Sequence, residues 1–434
     1  MKKYKVFRFI EVRWLQDSRT IEMKYGFDNE LIFTDQVVFE FEPTPGYHQA
    51  LLERVIRSLW LVNGVSYYKA ALTPEIDAQA ACLTEAEASF LNSTYRFGLG
   101  QLCYEHKIPF ERLATFAADP RAKVAGVSAP GLVGSVVGLG GGKDSLVTTT
   151  LLESMNEEFA TFSATYMPEE NDALLKLAGA IGHQHLTIRR RFDTQLADLN
   201  RQGAYNGHVP VTAIITLIGL AAAALTGRQQ VVMSNEASAG EGNAHWDGVE
   251  VNHQYSKTFE YEKLLAGHVA TSISPDLRTF SLLRPLGELQ IARLFAHGPM
   301  QRYRGLYSSC NRNFKADAQG FGFCGNCSKC AFVYLILTPF VPKLELKSIF
   351  GADLLAQASL AETFKELFGL AGHKPFECVG EIEECRAAAT LAAQSGDYPE
   401  LASFGVPETD YDFSSWQPHL LPKHYAEVVK AAIV

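Results

Sequence analysis

The sequence carries no surplus of positive charge: 39 Lys and Arg stand against 48 Asp and Glu, a formal net charge of -9. A broad nucleic-acid surface needs clustered cations, so that class is disfavoured; phosphates would be held locally, by a few N–H groups and side chains. The N-terminus, Met1-Lys2-Lys3-Tyr4-Lys5-Val6-Phe7-Arg8, has basic residues but no uninterrupted apolar core, and does not read as a signal peptide. A long membrane-spanning run is lacking too. The nearest segment, Val209 to Leu225, sits at the short limit for a span and is half small residues, so it reads as a helix buried inside an α/β domain. Eight cysteines in 434 residues, four of them between positions 310 and 330, do not make a disulfide framework. They argue for a metal or active-site cluster in a reducing, cytoplasmic setting. Internal repeats and low-complexity linkers are absent.

What the sequence does have is Ser135-Val136-Val137-Gly138-Leu139-Gly140-Gly141-Gly142-Lys143-Asp144-Ser145, followed by an amphipathic helical pattern. A short apolar strand, a tight glycine turn and a helix N-terminus in that order make a phosphate cradle. Glycine lets the chain turn sharply and expose its N–H groups, and the first helical turn adds unpaired donors at the positive end of the dipole. A standard Walker loop would place Ser or Thr directly after the Lys. Here Asp144 follows Lys143 and the hydroxyl comes one place later, at Ser145. A carboxylate inside such a loop makes sense if it holds the metal that neutralises the phosphates; the plain alternative is a flexible turn with a capping Asp. The stretch resembles the phosphate loop of the N-type ATP pyrophosphatases, Ser-Gly-Gly-x-Asp-Ser. Gly141, Gly142, Asp144 and Ser145 match, while Gly140 stands where the first Ser usually is. The resemblance implies cleavage of ATP between the α and β phosphates and transfer of AMP to a carboxylate or carbonyl oxygen.

Periodicity predicts strands over 4–14, 21–25 and 31–42 and helices near 51–60, 84–91 and 94–106, an α+β domain over residues 1–125. Its aromatics Tyr67, Tyr68, Tyr95 and Phe97 would either floor a ligand cleft or pack the core. From 126 to 340 strands at 135–139, 159–165, 185–189 and 230–234 alternate with helices near 144–156, 170–182 and 210–226. That alternation predicts a mostly parallel sheet with helices on both faces and ligands at its carboxyl edge. Residues 341–434 read as a helical region packed on that core, with Cys378 and Cys385 as packing thiols.

Two further stretches carry chemistry. The strand ending near Met233 runs into Ser234-Asn235-Glu236-Ala237-Ser238-Ala239-Gly240-Glu241-Gly242-Asn243-Ala244-His245-Trp246-Asp247-Gly248, too polar for a core element and expected to face the cavity beside Asp144. Val251 to Thr258 is polar again and would line the same cleft. Arg190, within Arg189-Arg190-Arg191, and Arg284, before Pro285, are candidates for phosphate. Cys310, Cys324, Cys327 and Cys330 have two residues between successive thiols from 324 onward, a spacing that folds around one tetrahedral ion. The cluster looks like that of 7-cyano-7-deazaguanine synthase, which holds zinc structurally. A reduced cluster with one thiol used in chemistry and an iron–sulfur centre are the alternatives.

Taken together, Gly140 to Ser145, Ser234 to Ala237, Glu241 to Asn243, Arg284 to Glu288 and the Cys310 to Cys330 cluster resemble the UDP-N-acetylmuramoyl-L-alanyl-L-glutamate epimerases over nearly the full length. That resemblance implies ATP- and magnesium-dependent inversion of the terminal L-Glu of UDP-MurNAc-L-Ala-L-Glu, releasing AMP and diphosphate, in peptidoglycan precursor synthesis. It implies a small-molecule substrate and no nucleic-acid or membrane partner. On this reading Gly140, Gly141, Gly142 and Ser145 bind phosphate, Asp144 binds magnesium, Lys143 offsets transition-state charge, and Arg284 and Arg190 hold phosphate or carboxylate. The proton carriers would come from Glu236, Glu241, His245 and Asp247. Rival classes are another adenylating enzyme, acting on nucleobases or forming amides or nitriles, and a nucleotide-binding protein without turnover.

Overall fold

In a computed structural model, which describes residues 3–166, 168–310, 312, 321–372 and 374–434, the alternating N-terminal sequence forms a meander. Strands β1 (Val6–Leu15), β2 (Thr20–Phe27) and β3 (Leu31–Phe39) pair antiparallel. Every second side chain, Phe7 and Phe9, then Ile21, Met23 and Tyr25, then Phe33, Asp35 and Val37, is buried on the face that meets the helix Gln49–Asn63. A short β4 (Glu75–Asp77) lies parallel to β1 at the edge. Tyr67, Tyr68 and Tyr95 pack this core. Tyr67 stacks on Tyr25 with ring centroids 5.0 Å apart, and the Tyr95 hydroxyl donates to the Leu61 carbonyl at 2.8 Å.

Downstream, β5 (Ser135–Gly138), β6 (Phe159–Thr165), β7 (His185–Arg191) and β8 (Gln230–Met233) appear within a few residues of their expected limits. A hairpin, β9 (Ala244–Trp246) and β10 (Val249–Val251), stands apart as its own two-stranded sheet, and β11 (Arg278–Ser281) completes the series. The nine remaining strands form one sheet in the order β11-β8-β5-β6-β7-β3-β2-β1-β4. The five from β11 to β7 are parallel, and β3 joins antiparallel to β7, pairing Gln36 with Arg191 and Phe39 with Ile188. Strands from before and after residue 125 therefore share a single sheet.

Neighbouring residues of the central strands feed opposite cores. Val136 and Val231 point toward the helices Gln49–Asn63 and Val211–Thr226, while Val137 and Val232 point toward Lys143–Ser154, Glu288–Ala296 and Ser328–Leu337. The apolar segment 211–226 is a helix buried against the sheet and the helix Gln49–Asn63. Among the described residues, no helix is long and apolar enough to cross a membrane. The C-terminal region is helical, with Ala361–Leu367, Ile382–Ser395 and Lys423–Ile433 packed on the second core. After β5 the chain proceeds outward through β6 to β7, then returns across the other face to β8. The strand order thus reverses beside β5, which is where parallel sheets open a crevice at their carboxyl ends.

Candidate functional site

The crevice is a cleft of about 410 Å³ at the ends of β5, β6 and β8, and the glycine loop is its floor. Gly141 has φ +78°, and a Cβ there would meet Phe321 at 2.9 Å. Gly142 occupies the N-cap of the helix Lys143–Ser154 and brings no capping side chain. A Cβ at Gly142 would meet the Ser309 hydroxyl oxygen at 2.8 Å, so the loop and residue 309 fit only because that side chain is missing. Among the described residues Gly142 gives the first turn no side-chain cap, and that turn begins a twelve-residue helix whose positive end adjoins the cleft. Gly140, Gly142, Asp144 and Ser145 line the cleft, with Ser234, Asn235 and Glu236 from the end of β8. Its apolar wall is built from Phe162, Leu174, Ile215 and Met233.

Lys143 is not among the lining residues. It is 1% exposed and ion-paired beneath the floor with both Asp144 and Glu288. Burial works to lower its pKa, but the two carboxylates outweigh burial and raise it, so the ammonium stays charged. Burial likewise pushes Asp144 up, yet Lys143 and then Lys329 bring it below the ordinary carboxylate value. Glu288, more deeply enclosed, is pushed up to about 7 by burial, with Lys143 opposing and Asp144 adding to the shift. Lys143 thus keeps Asp144 ionised and oriented from behind, rather than facing a substrate.

Among the described residues, the cations that face the cleft are Lys257 and Lys329. Lys257 lies within the polar stretch Val251 to Thr258; Lys329 sits in the first turn of the helix Ser328–Leu337. Burial would lower the Lys257 pKa, but Cys378, Glu236 and Asp144 together raise it. Cys378 is the surprise. Cys385 is fully buried in the second core, as expected of a packing thiol, but Cys378 lines the cleft with its sulfur 3.4 Å from the Lys257 ammonium. Burial raises its pKa, but Lys257, a hydrogen bond from His253 and Lys329 prevail and bring it down to about 6.

The four clustered thiols lie within 4.8 Å of one another. Sγ of Cys310 is 3.9 Å from that of Cys327, and Sγ of Cys324 is 3.7 Å from that of Cys330. These separations are far too long for disulfides. They match the edge of a tetrahedron of sulfurs about 2.3 Å from a central zinc, which is roughly 3.8 Å. The donor set therefore fits zinc or a similar thiophilic ion. It lies beside the cleft: the Cys310 end carries Ser308 and Ser309, and Lys329 lies between Cys327 and Cys330. The Ser308 N–H donates to the Gly141 carbonyl at 2.9 Å, and Lys329 holds the Cys378 carbonyl. One ion would thus staple two cleft walls to the glycine loop.

Other expected site residues are placed elsewhere. Arg284 is 1% exposed, its guanidinium bound to Glu262 at 2.9 and 3.0 Å and to the backbone carbonyls of Glu236 and Lys257. It fixes two cleft residues from below, leaving little of itself for a phosphate. Arg190 points into the N-terminal core, donating to Asn63 at 3.2 Å beside Asp35, because β7 turns that side chain toward the meander. Of the polar loop, the part beyond Glu236 leaves the cleft. Glu241 pairs with Lys374 at 2.6 Å, His245 is exposed on the hairpin, and Asp247 accepts from the Phe110 N–H at 2.9 Å. The hairpin β9–β10 carries these residues away, a pairing that polarity alone did not signal. Sequence reasoning missed Lys329 and Cys378 as cleft residues, and Glu288 entered it only within the stretch Arg284 to Glu288. A lysine inside a metal-binding Cys-x-x-Cys step was the available signal for the first.

Two family profiles match the chain: the MurL N-terminal domain over residues 1–282 and the MurL C-terminal domain over residues 306–407. Among curated proteins, the chain is 39% identical to a UDP-N-acetyl-alpha-D-muramoyl-L-alanyl-L-glutamate epimerase from Micromonospora, over 93% of this chain and 92% of that protein. It is 37% identical to proteins of the same name from Xanthomonas oryzae, covering 92% and 89% of the two chains, and from Salinispora tropica, covering 93% and 90%. No solved structure matches.

Proposed function

Because the chain belongs to the MurL family of UDP-N-acetylmuramoyl-L-alanyl-L-glutamate epimerases, we propose that its cleft inverts the terminal glutamate of that nucleotide dipeptide by way of an acyl-adenylate. The observation that carries the adenylate is the floor of the cleft: an uncapped helix N-terminus preceded by three glycines, with the ionised Asp144 in its first turn. Such a floor suits a triphosphate, with backbone N–H groups on the phosphate oxygens and Asp144 holding the magnesium ion that offsets their charge.

The chemistry explains why an epimerase would need ATP. A proton alpha to a free carboxylate is hard to remove, because the resulting dianion has nowhere to place its charge. Attack of a glutamate carboxylate oxygen on the α-phosphorus, with departure of diphosphate, removes one negative charge and acidifies the α-hydrogen. Removal of that proton from one face, its return to the other and hydrolysis of the adenylate would give D-Glu and AMP. Lys257 and Lys329 would steady the anionic groups, and the apolar wall of Phe162, Ile215 and Met233 would take a base. Of the four acids and bases in the polar loop, Glu236 is the one that lines the cleft and remains a proton carrier in this scheme. Asp144→Asn tests the reading. We expect AMP release with the L-Glu substrate to fall by about 100-fold or more; full AMP release would overturn the role of Asp144.

A further inference from the structure

Inversion needs a base beside the α-carbon, and the cleft holds one that the polar loop does not supply. Cys378 sits in an irregular segment held from both sides. The Lys329 N–H donates to the Glu377 carboxylate at 3.2 Å, the Lys329 ammonium grips the Cys378 carbonyl, and Asn243 donates to the Pro375 carbonyl at 3.0 Å. The same Asn243 accepts the His253 N–H at 2.9 Å, tying that residue to the thiol's segment. The His253 ring can be oriented from its neighbours. Gln101 donates its amide to Glu105 at 2.7 Å, which turns its carbonyl oxygen toward Nδ1 of His253. That oxygen only accepts, so Nδ1 donates to it. His208, its ring tilted against that of His253 with centroids 4.2 Å apart, is held neutral by burial, its pKa lowered to about 3. The sulfur meets the Lys257 ammonium at 3.4 Å, and the His253 side chain also favours its thiolate form.

We propose that Cys378 is the proton carrier on one face of the reacting α-carbon, its thiolate sustained by Lys257 and His253. The assignment rests on the adenylating reading for the acidity of the substrate, and on the cleft geometry for the base. Sγ takes the α-proton and forms S–H while the C–H electron pair moves into the enolate, whose oxygen bears the charge. A solvent-derived proton reaching the opposite face closes the new C–H bond. The thiol proton then returns to solvent, so no proton is gained or lost overall. Other charged groups around the sulfur are Lys329 and Glu377 on its own wall, with Glu236 and Asp144 acting through Lys257.

The test uses the whole protein with UDP-MurNAc-L-Ala-L-Glu, ATP and magnesium in deuterated water, comparing wild type with Cys378→Ser. AMP formation judges the adenylate, and deuterium at the glutamate α-carbon judges Cys378. The variant should keep AMP formation within about tenfold while losing deuterium wash-in by about 100-fold or more. Wash-in at the wild-type rate, or loss of AMP formation together with wash-in, would overturn the assignment. If wild type inverts glutamate without making AMP, the adenylate fails while wash-in still decides the thiol. A second measurement needs no variant. Iodoacetamide labelling of Cys378, located by peptide mass spectrometry, should be half-maximal near pH 6 and blocked by the nucleotide dipeptide. Labelling that rises only near the ordinary thiol value of about 8.5, with no protection, would also overturn it.

Discussion

At the residue scale, the cleft depends on a buried ion pair, Lys143 with Glu288, that does not line it. Lys143 neutralises Asp144 and Glu288 beneath the floor, and Glu288 is nearly inaccessible. Lys143→Met would leave two carboxylates without their cation, a change that typically costs about 3–5 kcal/mol. Chemical denaturation should show that loss, and adding Glu288→Gln should recover part of it. The Lys257–Cys378 pair makes a prediction with a definite sign. A thiol whose folded pKa is lowered to about 6 adds stability that is fully present above its unfolded value, about 8.5, and is lost as pH falls through 6. Cys378→Ser should therefore be less stable than wild type at pH 9 and should close most of that gap by pH 5, read from denaturation midpoints at the two pH values. An equal gap at both would mean the thiol is not ionised in the folded protein.

At the element scale, the glycine loop was legible because strand, turn and helix each leave a local signature. Triple glycine, an Asp in the first turn and the alternation of 135–165 all lie within thirty residues or so of one another. The cysteine spacing was legible for the same reason. The cation at Lys329 and the thiol at Cys378 were not, because their role comes from a contact between a helix near 330 and an irregular segment near 378. Nor did polarity reveal that 244–251 would pair into a hairpin and carry His245 and Asp247 off. Gly142→Ala should push the Ser309 hydroxyl from its place and cut AMP formation by about tenfold or more, while the melting temperature barely moves. Cys324→Ser should release a stoichiometric metal ion, seen by elemental analysis, and lower the Tm by about 5 °C or more. An unchanged Tm and metal content would remove the staple from the account.

At the scale of the whole molecule, one sheet joins residues from both sides of the point near 125 where the strand–helix alternation begins. The period-two pattern of the meander revealed its strands but could not reveal that β3 would seek β7, since pairing partners lie about 150 residues apart. The N-terminal family profile runs across the same point, to residue 282. Residues 126–434 expressed alone would expose the edge of β7 and strip the first core of Phe7, Tyr25 and Val55. That fragment should be insoluble or molten by circular dichroism; a cooperative, soluble fold would show that the meander is dispensable. The central claim, that this cleft activates a glutamate carboxylate with ATP in order to invert it, meets its most direct test in one incubation. Purified protein is given UDP-MurNAc-L-Ala-L-Glu, ATP and magnesium, and glutamate from the hydrolysed product is resolved by chirality beside a count of AMP. The account predicts D-Glu accompanied by AMP, with neither formed when ATP or the dipeptide is left out. D-Glu formed without ATP, or ATP cleaved to ADP instead, would contradict it.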